Sequence, residues 1–116
     1  MKKIIMAFSL CFFITSAFTQ TINVPDFAQQ DVKAFYTEYS NHLIKCIKAI
    51  RENNEAKATS LFKEGEPMVV KSRIIEKKVI MNLVEKQKWM QFAAQAYPLV
   101  KELERSSYYQ KLYGKK

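Results

Sequence analysis

From Val32 to Ile50 the apolar residues recur at alternating intervals of four and three: Val32, Tyr36, Tyr39, Leu43, Cys46 and Ile50. A helix of 3.6 residues per turn gathers these positions into one stripe, so the segment forms an amphipathic helix that needs a partner surface. Phe35 and Ile47 widen the stripe, whereas Lys33, Glu38, Lys45, Lys48 and Glu52 lie off its centre. No stretch alternates with period two between turn signals, and only 2 of the 116 residues are glycine. The expected class is all-α, an antiparallel bundle of three main helices.

Local signals place the boundaries. Asp26 with Gln29 three residues on resembles a capping box, and Asp31 offers a second start. The alternating residues 21–25 read as an extended lead-in, frayed rather than packed, with docking along the body or onto a partner as the alternatives. The first helix is expected to end near Asn53. Asn53-Asn54 then forms a tight turn, and Asn54 caps a second helix that begins at Glu55 and carries Ala58, Leu61 and Phe62 inward. Gly65-Glu66-Pro67 kinks or breaks that helix, since an interior proline costs ~3 kcal/mol. Met68, Ile75, Val79 and Leu83 resume the apolar face, with Val69, Ile74 and Ile80 beside it.

A second capping-box pattern, Asn82 to Glu85, predicts a turn within 82–88. Without it, residues 68–97 would make one helix about 45 Å long, and a dimer would be needed to cover it. The third helix turns Trp89, Phe92, Ala93, Ala96, Leu99, Val100 and Leu103 inward. Pro98 is expected to kink it or to start a last segment. That segment carries Tyr108, Tyr109, Leu112 and Tyr113 before Gly114 and a loose tail at 115–116.

Residues 1–19 have the layout of a secretory signal peptide: Lys2 and Lys3, an apolar run over 4–14, and Ala17-Phe18-Thr19 before cleavage at Gln20. The run is too short to cross a bilayer, which takes ~20 residues. Export by the Sec route to the periplasm or medium is therefore expected, with 20–116 as the single mature domain. Loss of Lys2 and Lys3 leaves 17 basic and 11 acidic residues, a net charge of +6 that favours anionic partners. Cys11 departs with the signal. Cys46, then the sole thiol, is either reactive or bridging, or a small buried apolar residue, as its place on the stripe favours.

No catalytic constellation emerges, and a non-enzymatic protein without a cofactor is expected. Glu38 and His42 share a helix face but supply at most two metal ligands, where zinc takes three or four. The paired Glu-x-x-His of di-iron bundles is missing. No Cys-x-x-Cys-His occurs, and Met68, Met81 and Met90 read as gap-filling core rather than as haem partners of His42. Ser60, Ser72, Ser106 and Ser107 have no glycine-flanked elbow, and no phosphate-binding glycine loop exists.

Two basic features remain as candidate contacts. Lys71, Lys77 and Lys78 fall on a shared face, with Arg73, Lys86 and Lys88 nearby; the bland reading is a solvated face. Tyr108, Tyr109, Lys111 and Tyr113 interleave aromatic and basic character, which suits an interface or a membrane surface. The bland reading packs those tyrosines on the core. Export sets nucleic acid aside as a partner.

Over residues 25–65 the chain resembles small Sec-exported helical proteins of Gram-negative bacteria. The resemblance is carried by Pro25-Asp26, by Asp31-Val32 with Phe35 and Tyr39, and by Ala49-Ile50 with Asn53. It implies a helical hairpin or bundle and brings no catalytic residues. The expectation is a protein-binding accessory module of the cell envelope. A chaperone-like or anionic-surface binder is the alternative, and a haem or small-ligand carrier is third. A homodimer is compatible with all of these.

Overall fold

The computed structural model describes residues 21–114; the expected signal segment and cleavage point, Cys11 and the lysines at 115–116 lie outside the described residues. Among the described residues there are five helices and no strand. They are α1 (Gln30–Arg51), α2 (Glu55–Glu64), α3 (Glu66–Ile80), α4 (Leu83–Arg105) and α5 (Ser107–Tyr113). The all-α class holds. The three expected rods become five because each interruption is a full restart.

α1 is the central element, touching α2, α3 and α4, while α5 lies on α2 and the end of α4. Its stripe packs as the periodicity requires. Val32, Phe35, Tyr36, Leu43, Cys46 and Ile47 are buried, and Tyr39 and Ile50 are half-buried. The stripe serves two apolar clusters. One joins Val32, Phe35, Tyr36, Leu43 and Ile47 to Ile75 and Val79 of α3 and Phe92, Ala96 and Leu99 of α4. The other joins Cys46 and Ala49 to Ala58, Leu61 and Phe62 of α2, with Tyr108, Tyr109 and Leu112 of α5 laid over it. Ile50 and Leu103 touch both.

The turn chemistry follows the sequence closely. Asn53 adopts φ 57°, the left-handed region that asparagine tolerates. The Asn54 side chain accepts from the Lys57 amide at 3.2 Å. α2 ends at Glu64, and α3 restarts at once with Pro67 in its first turn, where a missing amide proton removes no helical bond. The expected turn at 82–88 sits at its leading edge: Met81 closes α3, and Asn82 caps α4 by accepting from the Glu85 amide at 3.1 Å.

Four expectations are corrected. Asp26 caps nothing; α1 starts at Gln30 after Gln29, which makes no side-chain cap, and Asp26 instead accepts from Lys33 Nζ at 3.0 Å. The lead-in is docked rather than frayed. Ile22 and Phe27 are buried, and Gln95 clamps Asn23 by accepting from its amide and donating to its carbonyl, at 2.9 and 3.0 Å. Leu83 is exposed, because the turn at Asn82 resets the helical phase and it does not continue the stripe of α3. Finally, no last segment starts at Pro98, because α4 runs through it without a break. Pro98 and Ala94, four residues earlier, both face outward, so the carbonyl deprived of its partner can be solvated. The restart falls at Ser106, whose hydroxyl accepts from the Tyr109 amide and caps α5.

Candidate functional site

The candidate contact residues divide by what they touch. On α3, Lys78 Nζ meets Asp31 of α1 at 3.1 Å, and Lys71 Nζ sits 5.7 Å from the centre of the Phe35 ring. Lys77 points outward and is exposed. On α5, Tyr108 and Tyr109 are half-buried against the second cluster, with the Tyr109 ring 5.5 Å from Phe62 in an edge-on arrangement. Lys111 pairs with Glu55 at 3.1 Å, and the Tyr113 hydroxyl donates to the Glu66 carboxylate. The aromatic terminus therefore belongs largely to the packing of α2, and Lys77 is the candidate most available to a partner.

A surface that takes in Lys77 alone among the candidate residues lies at the carboxyl end of α3. At 100° per residue, Ile74, Lys77, Ile80 and Met81 fall on the side of α3 away from Ile75 and Val79, with Arg73 among them. Leu83 and Val84 continue this surface around the turn into α4. All five apolar residues are exposed, Met81 by 87% and Leu83 by 71%. The ion pairs of the described residues involve none of Arg73, Lys77 and Lys86. The sequence carries a weak signal here: Ile74 and Ile80 fall beside the stripe of Ile75 and Val79 rather than on it, although Lys71, Arg73, Glu76, Lys77 and Lys78 share the helix.

The second feature is a groove of about 460 Å3 between α1, the α2–α3 joint, α4 and α5. Leu43, Cys46 and Phe62 form its buried floor, and Tyr39, Val69, Val100 and Leu103 its walls. Glu66, Glu104, Tyr109 and Tyr113 stand at its mouth, and no lysine or arginine lines it. The electrostatics match that composition. Burial, then Glu66, raises the Tyr113 hydroxyl to about 12; burial, then Glu104, raises Tyr39 and Tyr109. Burial pushes the Cys46 thiol up to about 12, so it behaves as a small core residue rather than as a nucleophile.

His42 also borders the groove. Its Nε2 lies 2.7 Å from the Leu61 carbonyl, which can only accept, so that nitrogen carries the proton and is engaged. Among the described residues no three His, Cys, Asp or Glu side chains are grouped to hold a metal ion. No helix among them is long and apolar enough to cross a membrane.

Compared with known proteins, the chain matches no family model, no curated sequence and no solved structure.

Proposed function

We propose that the protein is an exported, non-enzymatic accessory protein of the cell envelope that binds an acidic protein partner through the outer face of α3 and the α3–α4 corner. The observation that carries this reading is the corner itself. Ile80, Met81, Leu83 and Val84 stand exposed on both sides of a tight turn, with Arg73, Lys77 and Lys86 around them and no acidic side chain paired to those three. Contiguous exposed apolar surface rimmed by charge is characteristic of interaction sites. The sign of the charge selects the occupant. In a two-fold pairing of this face, Arg73 and Lys77 would oppose their own copies, whereas an acidic partner turns the same charges into attraction. The signal-like residues 1–19 and the resemblance over 25–65 support the envelope as the setting.

Cross-linking in envelope extracts tests this with two variants, Met81→Asp/Leu83→Asp and Arg73→Glu/Lys77→Glu. Both alter only exposed side chains, so the helical circular dichroism should be unchanged. Loss of the same cross-linked partner in both is expected. Undiminished cross-linking by both refutes the assignment of the surface.

The protruding corner also favours a second reading, an anionic lipid surface, because exposed apolar residues flanked by lysines suit the membrane interface. Co-sedimentation with phosphatidylglycerol vesicles, lost at high salt and missing with phosphatidylcholine, would establish it. No sedimentation at low salt removes it.

A further inference from the structure

The groove between α1, α4 and α5 has a chemistry opposite to that of the rest of the molecule. The chain carries 19 lysines and arginines against 11 acidic residues, yet the groove is lined by Glu66 and Glu104 and by no lysine or arginine; its one imidazole, His42, is engaged by the Leu61 carbonyl. Its floor and walls are apolar, and its volume of about 460 Å3 falls in the range of small-molecule sites. Tyr39, Tyr109 and Tyr113 contribute aromatic rings, and those of Tyr109 and Tyr113 lie 4.9 Å apart at the mouth. Aromatic faces and carboxylates around an apolar cavity attract one chemical class in particular, organic cations with an apolar body.

We propose that this groove binds a cationic amphiphile, its apolar part on Leu43, Phe62 and Val100 and its charged head between Glu66, Glu104 and the tyrosines. The carboxylates are available for that role. Glu66 accepts one hydrogen bond, from Tyr113, which leaves further lone pairs. Glu104 meets only a long contact of 3.8 Å from Lys101, a residue outside the groove lining. An anionic amphiphile of the same length meets repulsion at the mouth, and a neutral one gains the apolar contacts alone. This assignment is independent of the α3–α4 surface, because Met81 and Leu83 do not line the groove.

The test is a titration of the isotopically labelled protein, followed by amide resonances, with dodecyltrimethylammonium, dodecyl maltoside and dodecanoate below their micelle-forming concentrations. The cationic probe should bind about tenfold more tightly than the neutral one, consistent with cation–π and charge contributions at a partly desolvated site. The anionic probe should bind more weakly still. Saturating shifts should centre on Tyr39, Val69 and Tyr109. Glu66→Gln/Glu104→Gln, which alters mouth side chains only, should bring the cationic probe down to the neutral one's affinity. Val69→Lys, at an exposed wall position, should weaken the cationic probe further. Equal affinity for all three head groups, shifts confined to the α3–α4 corner, or no saturable binding would each overturn the proposal.

Discussion

Replacing Gly65 with alanine probes the joint between α2 and α3. Gly65 has φ −82°, a conformation open to any residue, so alanine introduces no backbone strain. Taken alone, that change stabilises by about 0.4–1 kcal/mol through the lost freedom of the unfolded chain. The added Cβ, however, would stand 2.8 Å from His42 Nε2 and 3.2 Å from its Cδ2, closer than atoms of that kind pack. The ring must move, and its bond to the Leu61 carbonyl stretches or breaks, at a cost of about 0.5–1.5 kcal/mol. Crowding of a half-buried ring adds about 1 kcal/mol at the low end of overpacking costs.

The sum is a net destabilisation of about 1 kcal/mol, or about 4–8 °C in melting temperature for a domain of this size. In a His42→Ala background the obstacle is gone, and the Leu61 carbonyl still accepts from the Gly65 amide at 3.1 Å. There the same substitution should stabilise by about 0.4–1 kcal/mol. Urea unfolding of the four proteins in this double-mutant cycle, followed by circular dichroism, reads the coupling directly. A glycine-to-alanine effect of the same sign and size in both backgrounds refutes the close approach of His42.

Three further outcomes follow from the packing. Glu102 accepts two hydrogen bonds from Arg51, at 2.9 and 2.8 Å, and this holds its carboxyl below the usual carboxylate range. The stability it contributes is complete above its unfolded value near 4.5 and is lost as pH falls through the lower folded value. Glu102→Gln should thus cost about 0.5–1 kcal/mol at pH 7, discounted for its partial exposure, and about nothing at pH 2, as urea titrations at the two pH values would show. Gln95→Ala should release the lead-in and abolish protection of the Asn23 amide in hydrogen exchange, while slow amides in α1 keep theirs; unchanged Asn23 protection would contradict the clamp. Cys46, buried and with its thiol near 12, should have a thiolate fraction of about 10⁻⁴ at pH 8, so alkylation of the native protein should be at least about a hundredfold slower than of the unfolded chain. Rapid native labelling would contradict that burial.

Much of this architecture can be read from the residues because α1 obeys one period without interruption and because three of its turns are marked by side chains with a single job. Asn54 and Asn82 cap, and Gly65-Pro67 stops and restarts. The lead-in was misread for a physical reason. Ile22 and Phe27 belong to a segment too short to show a period, and the contacts that dock it come from far along the chain, as with Gln95, 72 residues away from Asn23. Leu83 was misread because a stripe extrapolated across a turn loses its phase. Pro98 does not begin the last segment, because a proline ends a helix only where the carbonyl four residues back cannot reach water. The candidate site was legible only in part: Lys77 was identified, but exposed Met81 and Leu83 look in sequence like ordinary core residues. The acidic groove was invisible, since Glu66 and Glu104 come from different helices and line one groove only in the folded chain.

Cys46 and Ile47 are neighbours on α1, yet one belongs to the α2–α5 cluster and the other to the α3–α4 cluster. Neither half therefore owns a scaffold of its own. A distortion of this single turn of helix withdraws a wall from both interiors at once, so heat should dissolve them together in one cooperative transition despite their separate side-chain contacts.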